Sequence, residues 1–138
     1  MTIPLWCLLA FAAWTVSIVI FVVGAHRVGS VLFKRAPANA WPTHKQHEGP
    51  ELYLRAMRAH ANCVENLPVF GALVLIAHVA GISSGTIDLA CQLLVAARVG
   101  QTVTHIASGT SMGVNIRFAF FSVQLACMGV LGGLIITA

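Results

Sequence analysis

The chain has 138 residues, 58% of them hydrophobic and only 9% charged, with a formal net charge of +4. An ordinary soluble domain is about 25% charged, so this composition excludes a soluble globule and fits a single integral membrane domain. The eight Lys and Arg residues read as topology determinants of a membrane protein rather than a nucleic-acid surface, and no nucleic-acid partner is expected.

Ile3 to Gly24 is free of charge and long enough to cross the hydrocarbon core, which takes about 20 apolar residues. It predicts a first helix over about residues 3–25. With no basic segment before it and an apolar run beyond the roughly 7–15 residues of a cleavable signal, it reads as a retained transmembrane span. Residues 26–50 follow as a polar loop holding Arg27, Lys34, Arg35 and Lys45, broken by Pro37, Pro42 and Pro50. His44 and His47 stand three apart in it, but a metal site needs further ligands and no third histidine or cysteine is near in the sequence, so a solvated loop is the reading and no metal is expected. The four cysteines, Cys7, Cys63, Cys91 and Cys127, lie singly in apolar runs and read as small buried hydrophobes.

A second helix is predicted over about residues 51–80. At about 100° per residue, Arg55, Arg58, Asn62, Glu65 and Asn66 share one arc of roughly 100°. The uncharged remainder, Asn66 to Ala80, is shorter than the ~20 residues a span requires, so Glu65 must lie at membrane depth. Pro68 removes an amide donor beside it and predicts a kink. Gly81 to Gly85 then reads as a tight turn, with Ser84 or Thr86 as cap and Asp88 at the positive end of the next helix.

The third helix, about residues 86–107, carries Arg98 in its middle. At 1.5 Å per residue, Arg98 lies roughly 18 Å from the helix start and Glu65 about 22 Å from the other side of the same turn. Charges at membrane depth are rare, face the bundle interior and usually pair. A Glu65–Arg98 ion pair is therefore expected. Gln101, Thr102 and His105 share the face of Arg98. After a short turn at Ser108 to Asn115, a fourth helix is predicted over about 116–137, with Arg117, Phe121 and Gln124 on one face. Gly129 and Gly133 form a G-x-x-x-G pair that permits close helix contact.

The reading is all-α: a four-helix integral membrane bundle in one domain. With four spans, every Lys and Arg belongs to, or points towards, the side holding the 26–50 loop. The positive-inside rule makes that side cytoplasmic and both termini non-cytoplasmic. Arg55 and Arg58 near the start of helix 2, and Arg117 in the expected first turn of helix 4, sit where helix dipoles disfavour cations. A bound anion would reconcile them, since amides, dipole and guanidinium would all point at it; for Arg55 alone, contact with anionic lipid headgroups is the better account.

The pattern Arg55-x-x-Arg58-Ala-His-x-Asn62-x-x-Glu65-Asn66-x-Pro68-x-Phe70 closely resembles the helix-2 signature of the MAPEG family, membrane-associated proteins of eicosanoid and glutathione metabolism. Arg98-Val-Gly-Gln-Thr-Val-Thr-His105 resembles the family's helix-3 segment, and Arg117 stands where its helix-4 arginine does. The resemblance implies a homotrimer in lipid, with glutathione as co-substrate bound between subunits near the cytoplasmic face. It implies that Arg27, Arg58, Asn62, Glu65, Arg98, Gln101, His105 and Phe121 hold glutathione, and that Arg117 stabilises its thiolate for attack on an apolar small molecule or a lipid hydroperoxide. Ala61, His105 and Phe118 depart from the arginine, tyrosine and serine of some members, which favours general transferase or peroxidase chemistry over prostaglandin synthesis. Two other classes keep the same helices: a non-catalytic membrane scaffold or lipid-binding protein, and a small four-helix transporter. The transporter would need an unpaired membrane carboxylate; helix 1 has none, and Glu65 could serve only if unpaired, which the expected pair with Arg98 argues against.

Overall fold

The computed structural model describes residues 1–41 and 49–138, and among these it is all-helical. His44, His47 and Lys45 of the loop lie outside the described residues. We number the long helices α1 (Ile3–Leu32), α2 (Glu51–Val79), α3 (Gly85–Ala107) and α4 (Ser111–Ile136). Three of them, α1, α2 and α4, are long and apolar enough to cross a membrane. The 23-residue α3 spans about 34 Å at 1.5 Å per residue, but its inner face is partly polar.

Pro4 opens α1, where a missing amide costs nothing. Midway the helix widens into a π segment over Val19–Gly24. A Cβ on Gly24 would stand 2.8 Å from the Val19 carbonyl oxygen, so this segment needs its glycine. The helix then resumes to Leu32, placing His26 and Arg27 on it where the sequence suggested a loop from residue 26. Helix α2 runs unbroken through Pro68. Gly81, with φ of 70°, turns the chain in a left-handed conformation that glycine tolerates best. Ser84 then caps α3 by accepting from the Ile87 amide at 3.2 Å.

Helix α4 begins at Ser111, earlier than the sequence suggested, because Thr110 caps it: its hydroxyl accepts from the Gly113 amide at 3.2 Å. Arg117 is therefore in the second turn, beyond the reach of most of the dipole. Arg55 likewise lies one turn into α2, and its Nε donates to the Ile106 carbonyl at 2.9 Å. That carbonyl belongs to the negative end of α3, where a cation is favoured. The apparent misplacement of Arg55 is thus resolved within the chain.

The core joins Phe11 and Ile18 of α1, Cys63, Phe70 and Val74 of α2, Ile87, Cys91 and Leu94 of α3, and Cys127, Met128 and Leu131 of α4. All four cysteines are free thiols. On α3 the buried stripe Ile87, Ala90, Cys91, Leu94 continues at helical spacing into Arg98, Gln101 and Thr102. One inner face is therefore greasy near the Gly81 turn and polar near the opposite end. The outer surface is apolar, with Phe21, Val79 and Ile136 strongly exposed, as lipid contact requires.

Close helix approach occurs at Gly100, where a Cβ would meet the Phe120 ring at 2.7 Å, drawing α3 and α4 together. Gly129 and Gly133, expected to serve close packing, have no neighbour within 4 Å of a built Cβ. Both point away from the helices of their own chain.

Candidate functional site

At the end of the bundle where α2 and α4 begin and α3 finishes, the helices splay around a cleft of about 600 Å³. That is within the ~300–1,000 Å³ typical of small-molecule sites. Helix α2 supplies Arg58, Asn62, Glu65 and Asn66, α3 supplies Gln101 and His105, and α4 supplies Val114, Arg117, Phe118 and Phe121. Spacings of three and four residues put each set on one helix face. One wall is polar and cationic; the α4 wall is mainly aromatic around a single arginine.

Neither Arg58 nor Arg117 makes an ion pair among the described residues, nor does Glu65; the one ion pair there joins Arg55 and Glu51 at 3.0 Å. The cleft thus presents two unneutralised guanidiniums and one carboxylate. Asn66 is ordered by donating its Nδ2 to the Asn62 carbonyl at 2.8 Å, which braces the middle of the polar wall.

The expected Glu65–Arg98 ion pair is not made. Glu65 is exposed on the cleft wall, whereas Arg98 is 1% exposed on the inner stripe of α3. There the guanidinium sits 5.3 Å over the Phe11 ring, and its Nη1 donates to Gln101 Oε1 at 2.8 Å. Its Nε and Nη2 have no partner among the described residues. Similar expected depth on neighbouring helices was not enough: Glu65 lines the cleft, while Arg98 is taken up by Phe11 and Gln101.

Beneath the cleft floor, Gln101 Oε1 also accepts from Gln124 Nε2 at 3.1 Å. Gln101 Nε2 donates to the Arg117 carbonyl at 3.2 Å. Thr102, on the same helix face, turns to Cys63 with its hydroxyl 3.7 Å from the sulfur and does not line the cleft.

Seven of the nine residues singled out from the sequence, Arg58, Asn62, Glu65, Gln101, His105, Arg117 and Phe121, line this cleft together. Arg27 and Arg98 do not. Arg27 packs at the exit of α1, where its Nε and Nη2 donate to the Tyr53 hydroxyl at 2.9 and 2.7 Å. It lies 5.8 Å from the Trp41 ring. Asn66, Val114 and Phe118 are additional lining residues. Asn66 and Phe118 carried a signal, Asn66 one turn from Asn62 and Phe118 next to Arg117; Val114 carried none.

A model of the MAPEG family matches residues 3–137, nearly the whole chain. The chain belongs to the MAPEG family. That family includes glutathione transferases and peroxidases. No curated protein and no solved structure matches the chain. In this MAPEG protein Arg58, Asn62, Glu65 and Asn66 of the helix-2 signature, Gln101 and His105 of the helix-3 segment, and Arg117 line one cleft.

Proposed function

We propose that this MAPEG protein is a glutathione-dependent transferase or peroxidase of the membrane, and that the cleft is its glutathione site. The observation that carries the reading is the charge pattern of the cleft. Glutathione has two carboxylates, one ammonium and a thiol. Arg58 and Arg117 as free guanidiniums, with Glu65 as a free carboxylate, match a ligand of that charge set. Guanidinium–carboxylate and guanidinium–thiolate contacts are charge-assisted hydrogen bonds, roughly twice as strong as neutral ones. Asn62 and His105 offer donors and acceptors for the peptide groups, and Gln101 offers its remaining amide hydrogen.

Arg117 stands beside the aromatic wall, where an apolar co-substrate from the bilayer would rest against Phe118 and Phe121; Phe118 is 69% exposed. It is the residue assigned to the thiolate. Lowering a thiol from about 8.5 to about 6.5 requires roughly 2.7 kcal/mol. One charged hydrogen bond supplies about 1.5–3 kcal/mol, so a single arginine is sufficient. In conjugation, the thiolate sulfur bonds to the electrophilic carbon and the leaving group departs with its electron pair. In peroxidase turnover, sulfur takes the terminal oxygen of a hydroperoxide, and the alkoxide leaves and takes up a proton. A second glutathione then converts the sulfenic acid to disulfide and water.

The same reading places the cleft end on the cytoplasmic side by its arginines, with both termini opposite, and assembles the chain as a homotrimer. An open polar wall inside a membrane is costly, so cover by a second copy is expected. Arg27, held on the Tyr53 hydroxyl outside the cleft, would serve a neighbour's cleft rather than its own, and Arg98 would act through Gln101.

Calorimetric titration of the purified protein in detergent with glutathione tests the site. Arg117→Ala should abolish conjugation of a small aryl halide while chemical cross-linking still captures a trimer. No heat at millimolar glutathione would replace the enzyme reading with a scaffold or lipid-binding one.

A further inference from the structure

The most buried polar residue of α4 is not in the cleft. Gln124 is fully buried and lies seven residues after Arg117, on the same helix face. Its Nε2 donates both to the Phe120 carbonyl at 3.0 Å and to Gln101 Oε1 at 3.1 Å. Gln101 then donates from Nε2 to the Arg117 carbonyl at 3.2 Å. Each carboxamide in this chain has one possible orientation. Gln101 must turn its oxygen to the donors on Arg98 and Gln124 and its nitrogen to the Arg117 carbonyl; the reverse would leave two donors facing each other and two acceptors facing each other.

We propose that Gln124 is a positioning residue which, through Gln101, fixes the rotation of α4 at the Arg117 turn and so aims the Arg117 guanidinium into the cleft. The inference rests on the glutathione reading and adds to it a residue that touches no substrate. Gly100 against Phe120 sets how near α3 and α4 come, but a ring against a glycine face resists rotation weakly. The directional link is the pair of carboxamides. In a site where misplacement by about 1 Å can cost up to about 100-fold, that link decides how well a thiolate is held.

The test uses full-length protein in detergent and reads the ultraviolet absorbance of the bound thiolate across pH, beside calorimetric glutathione affinity. Gln124→Leu and Gln124→Met keep the volume and remove the donor. Both should bind glutathione within about threefold of the parent, yet show about a tenfold smaller thiolate fraction, a shift of about one pH unit upward. In an Arg117→Ala background the same changes should add nothing, as expected when two residues act through one contact. A parent-like thiolate titration in both variants would overturn the proposal, as would loss of glutathione binding in both, which would make Gln124 merely structural. If the parent itself forms no thiolate, and Arg117→Ala is therefore silent, the glutathione reading falls and this inference with it. A parent thiolate that Arg117→Ala removes and Gln124→Leu leaves intact overturns the positioning role alone.

Discussion

Replacing Arg98 with Met should leave the protein as stable as before or make it more stable. The guanidinium is 1% exposed and faces no carboxylate partner, with two of its three nitrogens unpaired. Burying a charge without full compensation costs several kcal/mol even after local relaxation. Against that stand one charge-assisted hydrogen bond to Gln101, about 1.5–3 kcal/mol, and the contact with Phe11, about 0.5–2 kcal/mol. Methionine has similar reach and recovers about 0.3–1.5 kcal/mol through its own sulfur–aromatic contact. Gln101 Oε1 is not orphaned by the change, because Gln124 still donates to it. The balance is near zero or favourable. Had Arg98 been half of a buried ion pair, its removal would cost about 3–5 kcal/mol. Thermal unfolding in detergent separates the two, since 1 kcal/mol moves a midpoint by roughly 2–8 °C in domains of about this size. A fall of 10 °C or more in the Arg98→Met midpoint would refute the reasoning and restore the ion pair.

Other perturbations follow from contacts within the bundle. Arg55→Ala should lower the unfolding midpoint by the equivalent of about 1–2 kcal/mol, because it strips the Ile106 carbonyl at the α3 terminus of its charged donor. Glu51→Ala, which breaks only an exposed pair, should change it by less than about 1 kcal/mol; equal effects would mean the ion pair, not the carbonyl, is what matters. Gly100→Ala places a methyl 2.7 Å from the Phe120 ring and should cost about 1–3 kcal/mol, measurable by the same melting assay with turnover falling in parallel. Gly129→Ala meets nothing in its own chain and should be neutral in a monomer, so any loss there locates a neighbouring copy. Tyr53→Phe removes the acceptor of two Arg27 bonds and should cost about 1–3 kcal/mol; full retention of stability would show that ring stacking alone holds the α1 exit.

Much of the site was legible as helical spacing. Arg58, Asn62 and Glu65 follow one another at intervals of four and three, and Gln101 and His105, like Arg117 and Phe121, stand four apart. Such pairs share a face on any helix, so three half-walls can be written down before their arrangement is known. Helix ends were less legible, because a cap is a hydrogen bond rather than a composition. Thr110 lies in a run of Ser, Gly and Thr where several residues compete to start α4, and only its bond to the Gly113 amide selects one.

The amino-acid order by itself determined an apolar, all-helical chain, because continuous apolar runs of about 20 residues suit a spanning helix, whereas a closed barrel, the other form a bilayer admits, needs alternating strands. It also carried the family signature, which is linear. Tertiary structure alone decided which charges meet. Glu65 and Arg98 were expected at similar depth, yet one charge lines a cleft and the other lies buried beside Gln101 and Phe11. The link from Gln124 through Gln101 to Arg117 crosses between helices. Depth along a helix is a count of residues, whereas azimuth between helices depends on how every side chain in the core packs.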